Sequence, residues 1–496
     1  DMDGSNPRQI VSPRATGSGY KFGTDIAANE PTGLTQFANL PAVISNISST
    51  STLIEGQDTV ITAVGTDPEG DALTWSFEEV VSGPNYLVVG AYRDDDNGSE
   101  SGSVYVYDAN DLSAQPTKLT AFDGPSLLFG DAIVATADKI VVGASYDDDN
   151  GTNSGSVYVY DTNNLSATPT KLTAFDAAAG DQFGVSVAAS SDKIIVSASA
   201  DDDNGSNSGS VYVYDANDLS ATPTKLTAFD GAETDFFGSS VCIAGDKIFV
   251  GAYGDKDQGN NTGAVYVYDE SNLSFLQKIT AFDGAEGDFF SYPGVAAAGD
   301  KLVVGAINND QRASDAGAVY VYDINDLSAQ PTKLTAFDGS ANDTFGWSVA
   351  VTADQIIVGA HQDDDNATSS GSVYVYDAND LSAAPTKLTT SDAQDYDSFG
   401  QRVVATADQI IVGANQTNDN GKNSGSVYVY DANDLSATPT KLTAFDGAAN
   451  DQFGKSVAIT PVSSALNGVT VSQSDNVFTI TPASTDANFT LRFKVT

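Results

Sequence analysis

The chain repeats one unit of 53 or 54 residues seven times, and this repeat constrains the fold more than any other feature of the sequence. The string Gly-(Ser/Ala)-Val-Tyr-Val-Tyr-Asp marks each copy. Its first valine stands at positions 104, 157, 211, 265, 319, 373 and 427. Seven similar units of this length predict a closed or stacked array of identical modules.

Each unit contains four short runs with strand character, separated by turn residues. In the second unit the runs are Lys139–Ala144, Ser156–Asp161, Thr170–Phe175 and Phe183–Ala188. The last run is named strand A, because a tight turn joins it to the following run; the next three are then strands B, C and D. Runs such as Val-Tyr-Val-Tyr are typical of sheets buried on both faces. Four antiparallel strands in each of seven units predict an all-β fold, a seven-bladed β-propeller.

The two ends of the array complement each other. The first copy begins at strand B, Tyr86–Ala91, and has no strand A of its own. The array ends in an orphan strand A at Phe453–Ile459. We therefore predict a 3+1 closure, in which this last strand completes the first blade and removes the open edges of the array.

The segments that flank the propeller, 84–461, share none of its repeat. Residues 45–83 and 462–496 each contain three short strand-like runs. We predict that together they form one small β-sandwich into which the propeller is inserted. Residues 1–44 are rich in Gly, Pro, Asn and Thr, and we interpret them as a linker or the end of a preceding module. We also expect the chain to be part of a larger modular or multi-subunit assembly.

Two sets of residues resemble known families. The Phe183–Gly184 pair before one strand and Val142–Ala144 on the next resemble FG-GAP repeats, the unit of the integrin α-chain propeller. The segment from Thr66 to Trp75, with Phe489–Val495, resembles the cadherin-like or Ig-like repeats of bacterial and phage surface proteins. These resemblances imply a non-enzymatic module on an extracellular, cell or virion surface.

Composition narrows the classes of partner. The 67 acidic residues outnumber the 22 basic ones, which gives a formal net charge of −45 and argues against nucleic acid as a partner. No apolar run is long enough for a membrane helix, so no membrane insertion is expected. The chain has one cysteine, Cys242, and one histidine, His361, which argues against disulfides within it and against zinc sites. We interpret Cys242 as a core residue and His361 as surface decoration.

The acidic residues concentrate in two kinds of loop. In an antiparallel meander the B–C and D–A loops share one face of the propeller, here called the B–C face. B–C loops contain runs such as Asp147–Gly151, and D–A loops contain pairs such as Asp176 and Asp181. Four lysines lie at A–B turns, and we interpret the strand-D lysines as also belonging to the opposite face. The strand-D lysines are Lys118, Lys171, Lys225, Lys278, Lys333, Lys387 and Lys441.

The first and third carboxylates of five B–C loops form a candidate calcium site, because Ca²⁺ needs several oxygen ligands that such loops supply. A solvated hairpin turn is the alternative, since Asp-Asn-Gly favours turns by itself. In blade 5, Arg312 would take the place of a cation, so no site is predicted there. Integrin-type blades, by resemblance, hold calcium between the FG and GAP strands, where this chain has only a short turn. The candidate ligands are Asp94, Asp96, Asp147, Asp149, Asp201, Asp203, Asp255, Asp257, Asp363 and Asp365.

We expect a non-enzymatic adhesion or receptor-binding module that presents its acidic face to a glycan or a surface protein, with calcium as a candidate cofactor. The alternative is a structural stalk or decoration protein, such as a phage fibre component or a cell-surface spacer, with no specific ligand. Enzymatic activity is not expected, because each carboxylate of the repeat is matched by others in the same setting and none is unique.

Overall fold

The computed structural model describes residues 85–124 and 127–460 in full, and seven further strands by their backbone pairing. The chain divides into two compact units. One comprises Pro84–Pro461, and the other comprises Asp1–Gly83 with Val462–Thr496. Among the described residues, no helix is long and apolar enough to cross a membrane.

The larger unit is a seven-bladed β-propeller, which confirms the predicted fold class. Each blade is one four-stranded antiparallel sheet in the order A-B-C-D. The two middle strands of each sheet, B and C, are regular, and six residues of one pair with six residues of the other in every blade. Their alternating β-branched and aromatic side chains fit a pleated sheet. Strands B are Tyr86–Ala91, Lys139–Ala144, Lys193–Ala198, Lys247–Ala252, Lys301–Ala306, Gln355–Ala360 and Gln409–Ala414. Strands C are Ser103–Asp108, Ser156–Asp161, Ser210–Asp215, Ala264–Asp269, Ala318–Asp323, Ser372–Asp377 and Ser426–Asp431.

The two edge strands of each sheet, A and D, are mostly shorter than predicted. In the second unit, strand D ends at Leu172 rather than Phe175. The following strand A begins only at Val187, because Gly184 has a φ of 95° and Phe183 forms an isolated parallel bridge with Gly155 instead of pairing with strand B. Strands A of blades 1 to 7 are Ser456–Ile459, Ile133–Ala135, Val187–Ala189, Phe237–Ala244, Phe290–Ala298, Ser348–Val351 and Arg402–Ala405. Strands D are Thr117–Leu119, Thr170–Leu172, Thr224–Leu226, Phe275–Ile279, Thr332–Leu334, Thr386–Leu388 and Thr440–Leu442.

The last strand of the propeller completes the first blade, as the 3+1 closure predicts. Ser456–Ile459 pairs antiparallel with Tyr86–Ala91, with Ser456 opposite Gly90 and Ile459 opposite Leu87. Beyond the ladder, the Tyr86 backbone N–H donates to the Thr460 hydroxyl at 2.7 Å. The two ends of the propeller therefore meet at the A–B side of blade 1.

The hydrophobic core lies between successive blades. One buried cluster joins Val141 and Val157 of blade 2 with Ile194 and Tyr212 of blade 3, and equivalent clusters follow around the ring. The first tyrosine of each Val-Tyr-Val-Tyr strand packs edge-on against the repeated phenylalanine, as with Tyr212 and Phe183 at 5.3 Å. These tyrosines therefore serve inter-blade packing, which explains the apolar character of both faces of each sheet.

The smaller unit contains two sheets, each built from strands that lie on both sides of the propeller in the sequence. A four-stranded sheet has the order Val43–Ser49, Thr59–Thr66, Val477–Pro482, Val469–Ser474. A three-stranded sheet has the order Ile10–Val11, Thr490–Val495, Trp75–Val80. The short strand Ile10–Val11 falls within residues 1–44, so part of the segment interpreted as a linker pairs with this unit. The Ig-like or cadherin-like identity of the unit stays a prediction.

Candidate functional site

The strand-D lysines reach the acidic loops of the B–C face, so their assignment to the opposite face is wrong. Strand D has only three residues in most blades, and its lysine pairs with the first tyrosine of strand C, as Lys171 does with Tyr158. That position lies near the B–C end of the sheet. The long side chain then extends across the tyrosine ring, with Nζ 5.3 Å from the ring centroid of Tyr158.

In blade 2 the ammonium of Lys171 lies among three carboxylates. Its Nζ is 2.6 Å from Asp123, 2.7 Å from Asp147 and 2.6 Å from Asp149. Burial acts to lower the pKa of Lys171, but the hydrogen bonds to these carboxylates outweigh it and hold the pKa above its ordinary value. Burial likewise acts to raise the pKa of Asp147, yet its bond to Lys171 leaves it below the usual range.

The same arrangement recurs in blades 1, 3, 4 and 6, and it includes all ten aspartates that the sequence predicts as ligands. In these blades each lysine lies 2.5 to 2.9 Å from the first and third aspartates of its own B–C loop. Blade 7 has Thr417 at the first position, and Lys441 contacts Asp419 alone in that loop. Blade 5 has Asn309 and Gln311, and its lysine contacts neither.

The remaining carboxylate of each cluster comes from the preceding blade. The first aspartate of the D–A loop contacts the lysine of the next blade in all seven cases, at 2.6 to 2.9 Å. The tyrosine of that next blade donates its hydroxyl to the same aspartate, at 2.5 to 3.2 Å. Sequence reasoning missed these bonds between blades. The equal spacing of lysine, tyrosine and aspartate in every repeat was the available signal.

The second aspartate of the D–A loop has a different role. It is buried and accepts a hydrogen bond from the backbone of its own loop, as Asp343 does from the Ser340 N–H at 2.6 Å. Burial raises the pKa of Asp343 to about 6, and it does the same for Asp451 in the last loop. These carboxyls shape the loop rather than present charge to solvent.

The B–C loop is folded by its own first aspartate. Asp147 Oδ1 accepts a hydrogen bond from the Asp149 N–H at 2.9 Å, and Asp148 Oδ1 accepts one from the Asn153 N–H at 2.7 Å. Gly151 adopts a φ of 135°, a conformation that side chains disfavour, which explains the glycine at the fifth position. Hydrogen bonds within the loop therefore define its turn.

The clusters do not fit a resident calcium ion. In blades 2 and 4, three carboxylates offer oxygens within 4.8 Å of one another: Asp123, Asp147 and Asp149, and Asp230, Asp255 and Asp257. In both blades a lysine ammonium contacts all three carboxylates. A positively charged nitrogen among the donors repels a divalent cation, and calcium takes oxygen ligands only. Lysine thus takes the place of a cation in blades 1, 2, 3, 4 and 6, a role that the sequence predicts only for Arg312 of blade 5.

Six exposed phenylalanines form a second feature of the B–C face, here called the phenylalanine rim. Each follows strand D in the repeated Thr-Ala-Phe-Asp and packs one edge against the first strand-C tyrosine of the next blade, as Phe175 does with Tyr212 at 5.8 Å. Their exposed fractions lie between 51% and 67%. Blade 6 has Ser391 at this position. The rim consists of Phe122, Phe175, Phe229, Phe282, Phe337 and Phe445.

The single histidine and cysteine lie elsewhere. His361 is buried, its Nδ1 lies 3.0 Å from the Thr344 hydroxyl, and its ring lies 4.2 Å from that of Trp347, so the interpretation as surface decoration is wrong. Burial lowers its pKa to about 3, which keeps the imidazole neutral. Cys242 lines the central channel, and burial raises its pKa to about 12.

Comparison with known families assigns the repeat. The FG-GAP repeat matches residues 80–107, 114–160, 168–214, 222–268, 273–322, 329–376, 385–430 and 438–462, together more than half of the chain. The chain belongs to the FG-GAP repeat family. No curated protein is significantly similar to it in sequence.

Proposed function

We propose that the protein is a non-enzymatic adhesion or receptor-binding module whose B–C face contacts a glycan or a protein on another surface. The phenylalanine rim is the observation that carries this proposal. Large apolar side chains that stay half exposed at equivalent positions of six blades are typical of an interaction surface rather than of a core. FG-GAP repeat proteins are typically extracellular, which supports a position on a cell or virion surface.

The aspartates that follow the rim phenylalanines also support a binding role. Each rim phenylalanine precedes an aspartate that is already hydrogen-bonded to a lysine and a tyrosine of the next blade, as Phe175 precedes Asp176. A rigid ring that repeats an apolar group beside a carboxylate offers the same contact six times. Weak contacts that repeat on one rigid body bind a repetitive surface far more tightly than one contact does.

A structural role is the alternative. In a stalk or decoration protein, the rim phenylalanines would serve only their edge contacts with the tyrosines of the next blade. Those contacts are 5.6 to 6.0 Å between ring centroids and are present in all six blades. This alternative predicts that removing the rim lowers the stability of the propeller and leaves surface binding unaffected.

Calcium-dependent binding is a second alternative, favoured by the carboxylate groups of blades 2 and 4. It requires Lys171 and Lys278 to leave their clusters, because their ammonium groups contact all the carboxylates involved. Calorimetry with Ca²⁺ on the metal-stripped chain tests it directly: heat of binding supports calcium, and its absence removes this alternative.

The test of the proposed function uses the blade that lacks a phenylalanine. Because Ser391 occupies the rim position in blade 6, Phe→Ser substitutions at Phe122, Phe175, Phe229 and Phe282 introduce a residue that the repeat already tolerates. The full chain and this variant are compared on a glycan array and on intact cells, and thermal melting checks folding. We expect binding by the full chain and at least a tenfold loss in the folded variant. A full chain that binds neither glycans nor cells, or a variant that binds equally well, would overturn the proposal.

A further inference from the structure

Several positions around the propeller axis on the B–C face differ from blade to blade. The residue that follows the repeated Phe-Gly, or Phe-Ser in blade 5, differs in every blade. The residue that follows strand B also varies, from Tyr92 in blade 1 to His361 in blade 6. The strand-B and strand-C positions keep the same residue in most blades, so these variable positions stand out from the strands beside them. The first set comprises Asp131, Val185, Ser239, Tyr292, Trp347, Gln401 and Lys455.

A third variable position adds backbone strain to the same place. The residue before the repeated phenylalanine has a φ between 51° and 58° in all seven blades, and in none is it glycine. In blades 4 and 5 it is a bulky residue, Phe236 and Phe289, for which this conformation is an outlier. Each such residue costs on the order of 1 kcal/mol, a cost that glycine would avoid. Keeping side chains there indicates that the side chains themselves have a use.

The three variable positions meet in one arc of aromatic rings. Tyr253 stacks on Phe236 with centroids 4.8 Å apart, and its ring lies 4.5 Å from that of Tyr292. Tyr292 is 5.9 Å from Trp347, which is 4.2 Å from His361. The arc thus joins blades 4, 5 and 6 around the axis. All of its members except His361 are half-buried, so their rings are held in place but not enclosed.

Opposite charges complete the ring on the side of blades 1, 2 and 7. Arg93, Arg402 and Lys455 all act electrostatically on Asp131, but none forms an ion pair with it within 4 Å in the part of the chain that the structure describes. Arg402 Nε is buried and has no hydrogen-bond partner among the described residues. Burial lowers the pKa of Arg402 and raises that of Asp131, because burial disfavours the charged form of each group. Arg93 also pairs with the Glu100 carboxylate at 3.7 Å, so three cations face two carboxylates and the site stays positive, on a face that is otherwise acidic.

A cavity continues from these residues into the molecule. The strand-A residues of all seven blades line a channel that encloses about 310 Å³. Pro293, Ser348 and Arg402 line this cavity, and the first two directly follow Tyr292 and Trp347 in the chain. The volume is within the range of small-ligand sites, and the rest of the lining is mainly Val, Ala and Ile.

We propose that this axial mouth, formed by Tyr292, Trp347, Asp131, Arg402 and Lys455, binds a saccharide that carries a carboxylate. The proposal rests on the proposed function as a binding module, but it uses residues separate from the phenylalanine rim. The C–H face of a sugar ring is weakly positive and stacks on the negative faces of aromatic rings. A guanidinium pairs with a carboxylate through two parallel hydrogen bonds, which would satisfy the unpartnered Nε of Arg402.

The charge at the mouth decides between ligand classes. A cationic ligand such as a quaternary ammonium group also prefers aromatic rings, but Arg93, Arg402 and Lys455 repel it. A purely apolar ligand would cover Arg402 and leave its Nε buried without a partner, which is unfavourable. An acidic sugar is the class that both the aromatic arc and the cations favour.

The test uses substitutions that the repeat itself supplies. Arg402→Ser introduces the residue that blade 6 has at the equivalent position, Ser348, and Lys455→Gln introduces that of blade 7, Gln401. Saturation-transfer NMR measures binding of N-acetylneuraminic acid and of oligogalacturonate, with galactose as the neutral counterpart. Lys422→Gln, which removes an exposed base from a B–C loop, is the control.

We expect at least one acidic sugar to bind the full chain, galactose to bind at least tenfold more weakly, and the double variant R402S/K455Q to lose at least tenfold in affinity while K422Q retains it. Absence of binding by both acidic probes, equal binding of galactose, or an unaffected and folded double variant would each overturn the inference. The two proposals fail separately. If the rim variant loses cell binding while the mouth variant behaves as the full chain, the binding function stands and the acidic-sugar site does not.

Discussion

Asp446 Oδ2 lies 2.8 Å from Lys118 Nζ, although 328 positions separate the two residues in the chain. The bond joins the seventh blade to the first, and the other six boundaries between blades have an equivalent bond. The acidic clusters are therefore part of the mechanism that closes the ring.

Removing a cluster lysine should destabilise the propeller. In Lys118→Met, the buried Asp94 and the half-buried Asp446 lose their common counter-charge, so we expect a loss of about 2–4 kcal/mol in unfolding free energy, measured by denaturant titration. Lys301→Met is the control, because within residues 85–124 and 127–460 Lys301 pairs only with the exposed Asp300, and such a pair contributes less than about 1 kcal/mol. Equal losses in the two variants would contradict a special role for the cluster.

Blade 5 should tolerate the loss of its lysine better than blade 3. Lys333 contacts a single carboxylate, Asp283, which is one-third exposed, whereas Lys225 contacts three. Lys333→Met therefore leaves less uncompensated charge than Lys225→Met, and we expect less than half of the loss in unfolding free energy. A larger loss in blade 5 would show that the lysine stem, rather than its charge, stabilises the blade.

Calcium should have no effect on the full chain but should stabilise a variant that lacks the ammonium. EDTA and millimolar Ca²⁺ are expected to leave the melting temperature unchanged, because the ammonium of Lys171 already occupies the position between the three carboxylates. In Lys171→Met the three carboxylates lie close enough to share an ion, and Ca²⁺ should raise melting by several degrees. Lys333→Met, with one carboxylate, should not respond. A fall in wild-type melting on EDTA addition would contradict the lysine assignment.

The buried D–A carboxyls predict a pH dependence of defined sign. The pKa of Asp343 is raised to about 6, above its value in the unfolded chain, so its protonation favours the folded state: this contribution is complete below about pH 4 and is lost as the pH rises through 6. Asp343→Asn should therefore melt above the wild type at pH 8 and equally at pH 4. Asp380→Asn, an exposed carboxyl whose pKa is lowered by its bonds to Ser382, should show no gain at pH 8. A D343N variant that is less stable at pH 8 would contradict the prediction.

The fold could be predicted from the sequence because the repeat fixes both the number of blades and the position of the missing strand. The incomplete first copy and the orphan strand at Phe453–Ile459 define the closure without any knowledge of contacts. The lengths of the edge strands A and D were harder to predict, because Gly184 and its equivalents change the backbone direction inside an apparently regular run.

The candidate site was predicted in its residues but not in its chemistry. The ten aspartates do converge in their blades, yet the group that joins them is a lysine whose position along strand D suggested the other face. The length of the lysine side chain explains the error. It extends across the tyrosine ring and brings Nζ from strand D to the loop, as in Lys171, whose Nζ lies 5.3 Å from the ring centroid of Tyr158. The residues of the axial mouth can be recognised in the sequence only where the repeats differ from one another.

The pairing of Ser456–Ile459 with Tyr86–Ala91 also defines how the propeller responds to tension. Both ends of the propeller leave from the same end of this one ladder, where Tyr86 and Thr460 are hydrogen-bonded. A force that pulls the ends apart therefore loads these bonds one after another instead of all together. We expect the hydrogen bonds between strands A and B of blade 1 to break before those of the other six blades.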